Sequence, residues 1–265
     1  MRYGLEIVML KNERQSEIIE ILKKESFATV ATLAEMLYAS LPTIRRDLTV
    51  LEEDGYVKRC HGGAMILDGN TKPPIYFRRA QKTQEKLRMC EVAATLISEN
   101  DTVFIDASTS AYHITDFLKK TSGITVITNG LPLATDLADT NVRIYSTGGR
   151  LMKESLAFVG ISAEKSIESY NADLLIFSVA SLSADGILSD WSEDEAMLRI
   201  AMAKSAKKRV LLCDSSKFDT SSTFKLFSLD KVDFLITDKV LPKKILQDFG
   251  LKAVETSPAY LYSKI

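Results

Sequence analysis

The chain has 265 residues, enough for two domains with cores of their own. Its 34 Lys and Arg against 35 Asp and Glu set up no global field toward nucleic acid or membrane, so any DNA binding must come from a local patch. Three separated cysteines (Cys60, Cys90 and Cys213) without a CxxC pair suit a reducing cytoplasm, and no apolar run approaches the ~18 residues that span a bilayer.

Met1–Leu10 is mildly apolar but contains Glu6 and no small-residue cleavage site. It is not expected to be a signal peptide, and Met9 offers an alternative start. Glu13–Lys24 reads as a first helix with Ile18, Ile21 and Leu22 on its inner face. Val30, Leu33, Ala34 and Leu37 repeat at helical spacing and predict a second, followed by a tight connection at Tyr38-Ala39. Ser40 then caps a third helix whose apolar stripe is Ile44, Leu48 and Leu51, and Gly55 stops it. Pro42, Arg46 and Thr49 lie opposite that stripe, with Arg45 on its flank. Two adjacent guanidiniums and the hydroxyls of Ser40 and Thr43 near a helix N-terminus suit a helix that enters the DNA major groove. Taken alone they suit an ordinary surface helix with a solvated basic pair equally well. Two helices joined by about three residues, the second bearing the arginines, have helix-turn-helix spacing. Tyr56 to Met65 alternates and turns at Gly62-Gly63, which predicts a small hairpin wing. Lys58 and Arg59 would meet phosphates there; His61 either touches DNA or packs within the hairpin.

These residues carry a resemblance. Thr43-Ile44-Arg45-Arg46-Asp47-Leu48, Leu51-Glu52, Gly55, Arg59 and His61-Gly62-Gly63-Ala64 resemble the signature of the DeoR family of bacterial transcriptional regulators. The likeness extends more loosely over almost all of the remaining chain. Tyr38-Ala39 departs from it, standing where the family usually has glycine or asparagine and then valine.

Residues 66–81, with Pro73-Pro74 and no periodicity, read as an interdomain linker between a DNA-binding domain at 9–65 and a second domain at 82–257. Lys82 to Ser98 resumes helical spacing. From residue 102 short apolar runs alternate with helical stretches. Strands are expected at 102–107, 124–128, 142–146, 174–179, 210–213, 234–237 and, more weakly, 252–255. The pattern predicts an α/β domain with a mainly parallel sheet covered on both faces. Residues 258–265 read as a C-terminal tail.

In such a sheet ligands bind beyond the carboxyl ends of the strands. Those ends read Asp106-Ala107-Ser108-Thr109-Ser110, Asn129-Gly130, Thr147-Gly148-Gly149-Arg150 and Asp214-Ser215-Ser216-Lys217. Each alone is an ordinary capped turn. Four together are expected to converge on a small polar anion such as a sugar phosphate, with Asp106 on a sugar hydroxyl and Lys217 on the charge. The resemblance implies a sensor domain similar in fold to ribose-5-phosphate isomerase that responds to phosphorylated sugars. It adds Lys86 to the expected effector contacts Asp106, Ser108, Thr109, Ser110, Asn129, Gly148, Gly149, Arg150 and Lys217. Ser108 replaces a commoner glycine, which narrows the cradle, and Arg199 stands where the family often has lysine. Trp191 precedes that helix, as a closing loop or a packed anchor.

The function expected is repression of a carbohydrate-utilisation operon by a cytoplasmic homo-oligomer that binds double-stranded operator DNA and releases it to a phosphorylated sugar. No cofactor, metal or membrane is expected. An isomerase-like enzyme is the alternative, but isomerisation needs a carboxylate base and Ser178–Ser183 offers none before Asp185. No residue is therefore assigned to catalysis.

Overall fold

The computed structural model describes residues 11–25, 27–60, 62–66, 75–80, 82–255 and 257–264. The chain divides into two units, Met1–Gln81 and Lys82–Ile265.

The first unit runs α1 (Lys11–Glu25), β1 (Phe27–Thr29), α2 (Val30–Met36), α3 (Leu41–Glu53), β2 (Val57–Cys60), β3 (Gly63–Ile66) and α4 (Ile75–Ala80). The helical spacings read from the sequence become one core: Ile18, Ile19 and Leu22 of α1 pack with Leu33, Leu37, Ile44, Leu48, Leu51, Val57 and Ala64. The wing is three-stranded, in the order β1-β3-β2, with both pairings antiparallel. Three residues of β1 are too few to show a period. They pair because Gly63 lets β3 come close: a Cβ there would sit 2.3 Å from the Ala28 carbonyl oxygen. The stretch expected to be a linker contains α4, which lies against α1 and buries Ile75.

In the second unit α5 (Thr83–Ala94) leads to β4 (Thr102–Ile105), α6 (Thr109–Tyr112), α7 (Thr115–Leu118), β5 (Thr125–Thr128), α8 (Leu131–Leu137) and β6 (Arg143–Ser146). The hairpin β7 (Arg150–Met152) and β8 (Ala157–Val159) follows, then α9 (Ile161–Glu168), β9 (Ala172–Phe177), β10 (Ser181–Leu182), β11 (Ile187–Asp190) and α10 (Glu193–Lys204). The chain closes with β12 (Ala206–Leu212), β13 (Phe224–Ser228), β14 (Phe234–Thr237), α11 (Lys243–Asp248), β15 (Leu251–Glu255) and β16 (Tyr260–Lys264).

Eight strands form the main sheet in the order β15-β16-β14-β12-β9-β4-β5-β6. The pairings from β14 to β6 are all parallel. Both faces are covered, as an unbroken apolar strand requires. Leu175 and Phe177 of β9 join one core with α9, α10 and α11, while Leu174 and Ile176 join another with α5, α7 and α8.

The expected tail is a correction. Tyr260–Lys264 lies between β14 and β15, antiparallel to both, with Leu261 and Tyr262 buried. A Tyr-Leu-Tyr run is a good strand former, but only a vacant edge on β14 makes it one. The Tyr262 hydroxyl accepts from the Leu241 backbone at 3.1 Å and anchors it. A small antiparallel sheet, β10-β11-β13, was likewise not expected; its strands are short, and α10 and β12 separate β11 from β13 in sequence.

Candidate functional site

The arginines of α3 stand on a well-fixed helix. Ser40 caps it, accepting from the Thr43 amide at 3.3 Å, and the two hydroxyls lie 2.8 Å apart. Pro42 sits in the first turn, where its missing N–H costs no helical hydrogen bond. Ile44, Leu48 and Leu51 face the core, and Arg45 and Arg46 are exposed. Thr49 is tied in: its hydroxyl donates to the Arg45 carbonyl at 2.9 Å and accepts from Arg59 Nη1 at 2.8 Å. The Arg59 amide donates to Glu52 Oε1 at 2.8 Å, so the wing is stapled to the helix through the residues expected to touch DNA. Lys58 is exposed on the same strand; His61 lies outside the described residues.

One residue of α3 was given no role by the sequence. Asp47 is buried at 1 % exposure and accepts from Arg14 Nε at 2.6 Å and Gln15 Nε2 at 3.3 Å. It holds α3 on α1. Its position three residues after Ile44, on the apolar stripe, is the signal that could have marked it as a paired buried charge.

In the second unit the carboxyl ends of β4, β9 and β12 bring Thr109, Ser110, Ser178, Asp214 and Lys217 together. Lys86 donates from α5 to the Thr109 hydroxyl at 3.2 Å. Lys217 Nζ lies 3.3 Å from Ser110 Oγ, 2.7 Å from Ser178 Oγ and 3.5 Å from Asp214 Oδ2. Lys82 closes the group at 3.0 Å from Asp214 Oδ1. Two ammonium groups on the Asp214 carboxylate, a third on Thr109 and the hydroxyls of Thr109, Ser110 and Ser178 can accept an anion. Helix α6, which follows Ser108, has only four residues, so the positive field comes from these lysines rather than from a helix dipole.

Other expected contacts turn inward. Asp106 Oδ2 accepts from Arg199 Nε at 2.6 Å, while its Oδ1 accepts from the Ser108 amide at 3.2 Å and hydroxyl at 2.5 Å. Arg199 Nη1 reaches Asp190 Oδ2 at 2.7 Å, and all three charges are at most 5 % exposed. Burial opposes the guanidinium charge, but Asp190, Asp106 and Glu195 outweigh it and hold Arg199 protonated well above its ordinary value. Asp106 thus shapes the turn that carries Thr109 and Ser110, with both of its oxygens engaged inside the protein. Ser108 also caps α6, accepting from the Ala111 amide at 3.2 Å. Asn129 bridges the Ala107 amide at 2.9 Å and the Phe158 carbonyl at 3.2 Å. Gly149 has φ +106°, and a Cβ on it would lie 2.7 Å from the Val159 carbonyl oxygen, whereas Gly148, at φ +63°, faces open space. Arg150 is exposed and pairs with Asp194 on the surface instead of with the lysine cluster. Trp191 is half-buried.

Asp214 gives the cluster a pH signature. Burial opposes its ionisation, yet Lys217, Ser216 and Lys82 outweigh it and hold the carboxyl well below the usual carboxylate range. A depressed folded value means that its stabilisation is complete above the unfolded value of about 4 and is lost only as pH falls through the folded one. Between pH 7 and 5 the contribution of Asp214 to the stability of the second unit should therefore be full and constant, and it should fade below about pH 4. Denaturation of the wild type and Asp214→Asn across that range is the measurement. A difference between them that already shrinks from pH 7 to 5 contradicts the assignment.

Burial pushes the Cys213 thiol up to about 12 and raises Cys90 as well, so neither is a reactive nucleophile. Among the described residues no group of three or more His, Cys, Asp or Glu is arranged to hold a metal, and no helix is long and apolar enough to cross a membrane.

Residues 14–69 match the family profile of the DeoR-like helix-turn-helix domain, and residues 81–239 that of the DeoR C terminal sensor domain. The HTH-type transcriptional regulator GolR of Listeria innocua is 36 % identical over 92 % of this chain and 98 % of its own length. The HTH-type transcriptional repressor GlcR of Bacillus subtilis is 34 % identical over 91 % of this chain and 93 % of its own. The glycerol-3-phosphate regulon repressor of Escherichia coli is 29 % identical over 90 % and 95 %. Among solved structures, ribose 5-phosphate isomerase A from Methanocaldococcus jannaschii superposes with a TM-score of 0.40 at 10 % identity, over 69 % of this chain and 80 % of that one.

Proposed function

The chain belongs to the DeoR family of helix-turn-helix transcriptional regulators, and on that premise we propose that it represses a carbohydrate-utilisation operon and releases its operator when a phosphorylated sugar binds the second unit. The observation that carries the reading is α3: a capped helix, braced by Asp47 on one side and by Arg59 on the other, that leaves Arg45 and Arg46 exposed. Ser40, Pro42, Thr43, Thr49 and Lys58 complete the surface offered to DNA. Arginine at the groove bonds bidentately to guanine or to phosphate, and a winged module of this size meets one half-site. Paired half-sites call for a homo-oligomer. A relative named as a glycerol-3-phosphate regulon repressor supports the carbohydrate assignment.

Lys86, Lys217, Thr109 and Ser110 support a phosphorylated effector, since ammonium and hydroxyl groups are the chemistry that takes up a phosphate. An effector that binds the operator-incompetent state more tightly shifts the population toward it and weakens DNA binding by the same coupling free energy. The relatives it matches are transcriptional regulators, which speaks for this reading over an isomerase-like enzyme.

Arg46→Ala tests it. One bidentate contact is worth ~1–3 kcal/mol, so operator affinity should fall between about fivefold and 150-fold at a fixed salt concentration. Fluorescence anisotropy on an operator selected by the full-length protein from random duplexes reads the change. A folded Arg46→Ala protein with wild-type affinity removes α3 from the interface.

A further inference from the structure

Tyr38 joins α2 to α3 in a conformation that tyrosine does not choose. The Ala39 amide donates to the Ala34 carbonyl at 3.0 Å and the Tyr38 amide to the Glu35 carbonyl at 3.3 Å. This is the Schellman pattern of a helix end, in which Leu37 is the cap and Tyr38 the next residue. That residue must be left-handed, and Tyr38 has φ +48°. Glycine takes this geometry without a steric penalty; a bulky side chain does so only under strain.

Among the described residues nothing offsets the strain. Tyr38 is 96 % exposed, the most exposed of the chain's large apolar and aromatic residues so described. Its flanks, Met36 at 52 % and Leu41 at 43 %, are also turned outward. A ring that buries no surface and sits on an unfavourable backbone returns its cost only when a partner is bound. The partner is fixed by position: Tyr38 lies two residues before Ser40, the cap of the helix that carries Arg45 and Arg46. When the N-terminal half of such a helix enters the major groove, the turn leading into it passes the sugar-phosphate wall of the groove. Tyrosine hydroxyls donate to phosphate oxygens in that setting, positioning the protein without reading sequence.

We propose that Tyr38 is a DNA-backbone contact, its hydroxyl donating to a phosphate at the rim of the major groove and its ring covering the adjacent sugar. This rests on the reading of α3 as the DNA-entering helix, and it adds a contact outside that helix.

The test uses the full-length protein, an operator it selects from random duplexes, and random duplex of equal length. Tyr38→Gly relieves the backbone, so thermal unfolding of the first unit should move up by a few degrees while operator affinity drops about tenfold. Tyr38→Phe keeps the ring and should lose about fivefold. Because an uncharged hydroxyl displaces no counterion, the slope of log affinity against log salt stays at the wild-type value in Tyr38→Phe, unlike in Arg46→Ala. Operator and random duplex should weaken by the same factor, as a backbone contact requires. Wild-type affinity in both Tyr38 variants overturns the proposal, as does a lower melting temperature in Tyr38→Gly, which would make the ring part of the protein's own packing. A loss confined to the operator would make it a base contact and also overturn the phosphate assignment. Arg46→Ala, measured alongside, separates the two readings: if it too binds normally, the failure lies with α3 itself.

Discussion

Arg199→Ala should destabilise the second unit by roughly 3–5 kcal/mol, the largest effect expected of any single substitution here. The guanidinium lies 2.6 Å from Asp106 and 2.7 Å from Asp190, and removing it strands two carboxylates that are each 2 % exposed. For a unit of this size the melting temperature should fall by about 6–20 °C. Arg199→Lys retains the charge but not the fork that spans both partners, and should recover only part of the loss. Adding Asp106→Asn to Arg199→Ala should restore some stability, because one stranded charge is removed. A calorimetric loss below about 1 kcal/mol would mean that water or another cation already serves the two carboxylates. The consequence for function is positional: without Arg199 the turn that presents Thr109 and Ser110 loses the anchor on which Asp106 holds it.

In Lys217→Ala the effect should be functional rather than structural. Lys217 Nζ touches Ser110, Ser178 and Asp214, and Asp214 keeps Lys82 at 3.0 Å when Lys217 is gone. The fold should therefore survive with a modest loss. A phosphorylated effector, by contrast, would lose a charge-assisted contact worth ~1.5–3 kcal/mol, so its affinity should fall about 10- to 150-fold. The probe is whichever sugar phosphate from a panel raises the wild-type melting temperature. In its presence the wild type should leave the operator and Lys217→Ala should stay bound, with equal operator affinity when the probe is absent. Normal effector affinity in Lys217→Ala would place the anion elsewhere, and loss of operator binding in a folded variant would mean that Lys217 serves the DNA-binding unit.

Local spacing by itself determined the elements on which the function rests. Ser40 as cap, the stripe of Ile44, Leu48 and Leu51, and Gly55 as stop all lie within sixteen residues, and α3 runs from Leu41 to Glu53 as they require. The apolar runs at 102, 124 and 234 became β4, β5 and β14 for the same reason: burial on both faces writes a largely hydrophobic run into the chain, whereas the run at 142 became β6, a mostly exposed edge strand. Only the tertiary structure decided how the charges pair. Asp106 and Arg199 are 93 residues apart, Asp47 and Arg14 are 33, and Lys82 and Asp214 are 132. Each pair meets because strand order or helix packing brings the two together, which no local period encodes. The same holds for β16, whose five residues are a strand because β14 and β15 present free edges on either side. A hydrophobic pattern states which face of an element turns inward; what a buried charge finds there depends on which other element arrives, and that is settled only when the sheet closes its order.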